Sequence, residues 1–340
     1  MTRDHFFVDY SPGAHGWNAR TAIYCKEFIV AGKPLIRLGD RFCFSFQLPA
    51  SVFSFSMPTR NLRRSWWSPP AEALGEVDLT LSRQFPLADG VALTAAAALV
   101  LIFWFCGRPW IASQTVPLLL ALGITAAFAL LAQYARGVNW TGALAGSVIA
   151  FIFAASDVRM FWLLLLVFAI TLGATRLGTG RKRRLRTAEG DDGRSGSQVM
   201  ANLGVAGLAM SLAPRGWPVL AMAALAEAAA DTASSEVGMA FPGKTVLITS
   251  WRSVPPGIDG AISLTGTVAG LAAAAVIAVA GLAMGLVTAR QTRVILGAGF
   301  LGTLLDSLLG ALLERRGWLN NDLVNLLSTA AAGGIAWLFF

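Results

Sequence analysis

Histidine is almost missing from this sequence. His5 and His15 are the only two, and none follows residue 15. That scarcity removes histidine-based triads, helical zinc-protease motifs and haem ligation from the rest of the chain. Cysteine is nearly as rare, and Cys25, Cys43 and Cys106 are too few and too scattered for a disulfide framework or a zinc site. Charge is sparse as well, at 14% of 340 residues, where a soluble domain carries about 25%. Chemistry is left to carboxylates, amides, hydroxyls, Arg and Lys, a set that suits a hard cation such as Mg²⁺.

Apolar residues fill the space. They make up 55% of the chain, with a mean hydropathy of +0.61, which assigns it to the membrane class. A net charge of +8 and a pI of about 10.1 would suit a nucleic-acid partner. The basic residues, however, sit in loops between apolar segments, where topology and anionic headgroups explain them. No nucleic acid is expected; membrane lipids are.

Residues 1–87 read as an N-terminal extension, poorly ordered or interfacial. Residues 1–56 hold both histidines, two of the cysteines and no apolar run long enough to span. They also lack the pattern of a signal peptide, and translation is expected to begin at Met57. A basic, Trp- and Pro-bearing lead follows (Arg60, Arg63, Arg64, Trp66, Trp67, Pro69, Pro70), which suits the headgroup layer. Residues 88–340 read as a polytopic membrane domain. Its apolar runs fall near 90–106, 116–134, 141–155, 160–174, 198–213, 217–230, 262–287, 294–313 and 323–340. A crossing helix needs about 20 such residues. The expected fold is therefore an all-α integral membrane bundle of about seven to nine transmembrane helices, some short or re-entrant.

The densest basic cluster, Arg181, Lys182, Arg183, Arg184 and Arg186, should be cytoplasmic. Alternation of nine crossings then puts the N-terminus, the 231–262 loop and the 314–322 loop on that side. Arg290 and Arg293 fall outside, a mild contradiction. Gly142 and Gly146 in TGALAG, and Gly266 and Gly270 in TGTVAG, lie four apart, the spacing of close helix packing.

Several polar groups interrupt the apolar runs. In AEAAADTASSEVG (226–238), Glu227 and Asp231 lie four apart on one helical face, continued by Ser234 or Ser235, with Glu236 beyond. A charged side chain near the bilayer centre costs roughly 2.5–3.5 kcal/mol, and two acids on one face repel unless a proton or cation separates them. This stretch is expected where a membrane helix runs out into a polar loop. Arg194, Gln198 and Asn202 also share a face; they would receive a phosphate, or would snorkel and bond neighbouring helices. The loop 241–267 contributes Lys244, Arg252, Gly257, Asp259, Gly260, Ser263 and Thr267, and its amides ahead of the next helix would cradle a phosphate. Asp306 sits mid-run between Gly302 and Gly310, so it should face the bundle interior. Asn321 and Asn325 share a face of the last run, and Asn320 or Asp322 suits a helix cap.

The blocks GVNWTGALAG (137–146), GRSGSQVMAN (193–202), AEAAADTASSEVG (226–238), PPGIDGAISLTGT (255–267) and LLDSLLGALLERRGWLNNDLVNLLST (304–329) resemble, in this order, a polytopic membrane family long catalogued as of unknown function. That family includes eukaryotic transmembrane protein 19 and the plant phytyl-phosphate kinase. The resemblance runs from about residue 90 to the C-terminus. It implies a kinase that adds a second phosphate to an isoprenyl monophosphate, with a nucleoside triphosphate (CTP or ATP) as donor. By position, Asp231 and Glu236 fall on its acidic block, Asp259 on the Pro-Pro-Gly block, and Asp306 and Asn325 on the last two helices. A looser likeness links the acidic and Gly/Ser blocks to CTP-dependent polyprenol kinases and lipid cytidylyltransferases. In the resulting expectation Asp231 and Glu227 hold Mg²⁺, and Glu236 or Asp259 acts as second ligand or base. Arg194, Lys244 and Arg252 bind phosphates.

A transporter is the main rival, since buried acids also serve ion relays. It would show inverted repeats with broken helices, and only the TGxxAG echo is present. Convergence of Asp231, Asp259 and Asp306 beside Arg194 favours the enzyme; a line of acids through the bilayer midplane favours transport.

Overall fold

The computed structural model describes strands over residues 3–13, 16–30, 33–38 and 41–44, and then residues 81–111, 118–185, 193–212, 217–241 and 243–339. The Trp-bearing basic lead and Arg186 lie outside the described residues. The chain divides into two units, Met1–Glu76 and Val77–Phe340. In the first, strands β1 (Arg3–Gly13), β2 (Gly16–Val30), β3 (Lys33–Leu38) and β4 (Arg41–Phe44) pair in sequence order as an antiparallel meander.

The second unit is helical. Its described residues form α1 (Leu81–Ile111), α2 (Leu118–Tyr134), α3 (Trp140–Ser156), α4 (Val158–Arg176), a short α5 (Thr179–Leu185), α6 (Gly196–Leu212), α7 (Trp217–Ala240), α8 (Leu264–Ala283), α9 (Ala289–Leu312) and α10 (Asn321–Leu338). A small hairpin, β5 (Thr245–Leu247) with β6 (Ala261–Ser263), lies between α7 and α8. Each of the nine apolar runs of the sequence thus becomes one long helix. Among the described residues, four segments are long and apolar enough to cross a membrane: Leu87–Cys106, Val158–Arg176, Leu264–Ala283 and Ala289–Arg316. Leu118–Tyr134 and Trp140–Ser156 are shorter apolar helices. The chain is an integral membrane protein whose membrane unit is all-α apart from the short β5–β6 hairpin.

Helix α7 is the hub, packing against α4, α6, α8, α9 and α10. Every residue from Ala221 to Ala230 is buried, as expected of a helix that is apolar all round. Its alanines let neighbours approach closely, and the facing helices answer with glycine. A Cβ at Gly266 would lie 2.5 Å from the Ser234 carbonyl oxygen, and one at Gly270 2.9 Å from Ser234 Cβ. A Cβ at Gly302 would lie 2.6 Å from Glu227 Cγ and 2.9 Å from Ala332 Cβ. Lipid tails are as apolar as side chains, so packing of this kind holds membrane helices together.

One local expectation fails. The acidic stretch does not run out into a loop; α7 continues beyond Asp231 to Ala240, about two and a half further turns at 3.6 residues each. Small residues packed on Gly266 and Gly270 extend the helix, and the one acid in this extension is paired: Lys182 Nζ reaches Glu236 Oε2 at 2.5 Å.

Candidate functional site

A cavity of about 340 Å³ opens among α6, α7, the β5–β6 loop, the start of α8, α9 and α10. Its lining gathers side chains from four of the five sequence blocks. Arg194, Gln198 and Asn202 face it from the start of α6; Asp231, Ser234, Ser235 and Glu236 from α7. Gly257, Asp259, Gly260 and Ser263 contribute from the loop, Thr267 from α8, Asp306 from α9, and Asn321 and Asn325 from α10. Asp231, Asp259 and Asp306 therefore share one chamber with Arg194.

The α6 end is built by local capping and by a grip from the α2–α3 turn. Ser195 and Gln198 form a reciprocal cap: Ser195 N–H donates to Gln198 Oε1 at 2.9 Å, and Gln198 N–H to Ser195 Oγ at 3.4 Å. Asn202 turns its amide back to the Gln198 carbonyl at 2.9 Å. The two amides are thus spent partly on the helix itself. Arg194 is clamped through its backbone: its N–H donates to the Gly137 carbonyl at 3.1 Å, and its carbonyl accepts from Asn139 N–H at 3.0 Å. Gly142 is required beneath it, since any Cβ there would collide with the Arg194 carbonyl oxygen. The guanidinium reaches Thr232 Oγ1 at 3.3 Å and faces Asp231 electrostatically.

Acids dominate the walls. The lining carries five carboxyl side chains (Asp231, Glu236, Asp259, Asp306 and Glu314) against the one guanidinium of Arg194. The Asp231 and Asp306 carboxyls sit against each other, and Ser328 Oγ donates to Asp306 Oδ2 at 3.2 Å. Two facing carboxylates repel unless a proton or a cation lies between them. Outside the membrane helices, partial burial pushes the Asp259 carboxyl above the ordinary aspartate range, while nearby Arg315 pulls it down. Gly260 fixes that loop: it adopts φ +75°, and a Cβ there would lie 2.5 Å from the Ala311 nitrogen of α9.

Three of the expected residues stand apart. Glu227, 1% exposed, lies behind Asp231 and Asp306 and does not line the cavity. Lys244 and Arg252 are exposed and also lie off the cavity wall. Ser263, though on the wall, caps α8 by accepting from Gly266 N–H at 3.1 Å, and Asn320 caps α10 as the sequence implied. Among the described residues no group of three or more His, Cys, Asp or Glu side chains is arranged to hold a metal alone. The donor set still fits Mg²⁺, which takes one or two carboxylates and completes its shell with water and substrate phosphates.

Other contributors escaped the sequence reading. Glu314 enters the cavity from the 3-10 turn after α9; in the sequence it is simply the first residue of the 314–322 loop. In the sequence Lys182 is one more topogenic charge; in the fold it is buried against Glu236. Asp89 accepts from Thr141 Oγ1 at 2.8 Å and from Ser197 N–H at 3.1 Å, which puts an acid at the α6 N-terminus. No spacing rule links Asp89 to residues 52 and 108 positions away.

The description "integral membrane protein DUF92" belongs to a family that matches residues 123–333. An uncharacterized membrane protein of Synechocystis sp. is 32% identical over 238 residues, covering 67% of this chain and 90% of its own. One from Methanocaldococcus jannaschii is 34% identical over 233 residues, covering 66% of this chain and 95% of its own. The chloroplastic protein VTE6 of Arabidopsis thaliana is 30% identical over 191 residues, 52% of this chain and 57% of that one. No solved structure matches. The match takes in α3 to α9 whole and most of α10, and the chain belongs to this integral membrane family.

Proposed function

We propose that the chain is a membrane phosphotransferase that moves the terminal phosphoryl group of a nucleoside triphosphate onto an isoprenyl monophosphate. One observation carries the reading: Asp231, Asp259 and Asp306 meet Arg194 in a single acid-rich cavity. The resemblance to the family of the plant phytyl-phosphate kinase supports the substrate class.

Phosphoryl transfer asks a protein mainly for positioning and charge neutralisation. The attacking group is already an anion, an oxygen of the lipid phosphate, so no strong base is needed and the lack of histidine is no handicap. A bond forms between that oxygen and the terminal phosphorus, the bond to the donor's bridging oxygen breaks, and a nucleoside diphosphate leaves. Arg194 holds the lipid phosphate, with its backbone clamped by Gly137 and Asn139 so that the fork is pre-organised. Asp231 and Asp306 present carboxylates toward the donor. Asp231 and Asp306 would hold Mg²⁺ there, and it would supply positive charge to offset what gathers on the donor phosphates. Asp259 and the amides of the Gly257–Gly260 turn border the donor side.

The reaction is assigned to the cytoplasmic face. Lys182 belongs to the basic segment expected inside the cell, and it pairs with Glu236 on the cavity wall, so segment and cavity share one side of the bundle. The test is transfer of label from γ-labelled CTP and ATP to phytyl, geranylgeranyl and polyprenyl monophosphates. A labelled lipid diphosphate is expected with at least one pair. Hydrolysis of the triphosphate without a labelled lipid would overturn the substrate assignment.

A further inference from the structure

We infer that a second cleft, beside the acid-rich cavity, holds the hydrocarbon chain of the lipid monophosphate; the inference rests on the phosphotransferase reading and deepens it. The cleft measures about 260 Å³ and lies among α2, α3, α4 and α6. Phe128, Leu164, Val167, Phe168 and Leu203 give it apolar walls. Phe128 and Phe168 meet edge to face with ring centroids 5.3 Å apart, which holds that wall in shape.

Two features select an amphiphile with one anionic end. Arg194, Gln198 and Asn202 line both this cleft and the acid-rich cavity, so the two spaces meet along one face of α6. A chain in the cleft would therefore end its head group at Arg194, facing the carboxylates that receive the donor. The cleft also carries Arg136 and Arg176, both exposed. Arg136 adopts φ +51°, a left-handed conformation costly for a residue with a Cβ, and the Arg176 guanidinium donates to the Ala135 carbonyl beside it. With Arg194 they place three guanidinium groups around a slot whose walls are mostly apolar, which matches a phosphate on a hydrocarbon chain. A water-soluble phosphate would have no use for the slot.

Gly146 offers the test. It lines the cleft, and the nearest atom to a Cβ there is Val199 Cγ1 at 3.8 Å, ordinary contact, so the position admits a side chain and Gly146→Phe is chosen to fill the slot. The probe is geranylgeranyl monophosphate with a photoreactive diazirine at the far end of its chain, added to the full-length protein and mapped by mass spectrometry. Label is expected on α2, α3 or α4, competed by unlabelled geranylgeranyl monophosphate and reduced about tenfold by Gly146→Phe, the scale of one misfit in an apolar pocket. Should that variant fail to fold, Leu203→Trp fills the slot from α6 and is expected to act alike. Label confined to α8, α9 or α10, labelling indifferent to both variants, or equal competition by phosphatidic acid, the mark of an ordinary bilayer lipid, would overturn the inference. Label in the cleft without any phosphoryl transfer would keep the cleft and sink the kinase reading; transfer with label elsewhere would do the reverse.

Discussion

Replacing Asp231 by Asn separates a working carboxylate from a structural one. The substitution keeps volume and removes one of five carboxyls from a cavity with a single lining guanidinium. It also removes the repulsion between Asp231 and Asp306, which sit against each other. A purely structural Asp231 predicts little change in rate. If it presents a carboxylate to the cation on the donor phosphates, the loss falls on the transition state. Deleting one pre-organised electrostatic group of this kind costs about 10²–10³ in kcat, roughly 2.7–4 kcal/mol. The expected result is thus a rate down about a hundredfold with a melting temperature equal to or above that of the parent. Asp306→Asn should behave alike, and the double variant should fall far short of the product of the two losses, because the pair acts as a unit. The assay is initial-rate formation of lipid diphosphate, with thermal unfolding in the same detergent. Full activity in Asp231→Asn would refute the role; so would a lost rate explained by a lower melting temperature.

Lys182 and Glu236 form a buried ion pair with side chains 1% and 6% exposed, so Lys182→Met should cost about 3–5 kcal/mol by stranding a buried carboxylate, and adding Glu236→Leu should restore most of the melting temperature. Gly142→Ala should destabilise by about 1–3 kcal/mol through overpacking and cut activity by displacing Arg194, whereas Gly146→Ala, with its nearest neighbour 3.8 Å away, should melt like the parent. Because burial raises Asp259, its carboxylate appears only at a higher pH than an ordinary aspartate's. The rate should therefore fall on acidification earlier than an unshifted Asp would dictate, and Asp259→Asn should remove that acid limb from the pH profile. Chelation by EDTA should abolish transfer and added Mg²⁺ restore it, while the protein stays folded by circular dichroism.

The helices were legible because each is an apolar run, and nine runs became nine long helices. Most of the cavity lining was legible for a related reason: in a membrane segment a polar side chain is conspicuous, and Arg194, Asp231 and Asp306 stand out by their cost. What escaped were relations between distant segments. Asp89 reads as an ordinary polar residue ahead of the first apolar run until Ser197 and Thr141 come to it. Lys182 is one of five clustered basic residues, and only the fold shows that it is buried. The end of α7 was misjudged because acids and serines resemble a helix terminus, whereas glycines on α8 and a lysine on α5 keep that segment helical. Spacing pairs Glu227 with Asp231 at the cation; in the fold Glu227 is buried, packed against Gly302, and off the cavity wall.

The most direct measurement uses purified protein in detergent micelles, where no sealed compartment exists and transport gives no signal. Geranylgeranyl monophosphate, Mg²⁺ and CTP or ATP are incubated with it, and the products are identified by mass spectrometry. Geranylgeranyl diphosphate and nucleoside diphosphate forming in equal amounts, with Asp306→Asn nearly silent, is the predicted result. Folded protein that consumes neither substrate across the whole panel of prenyl monophosphates would contradict it.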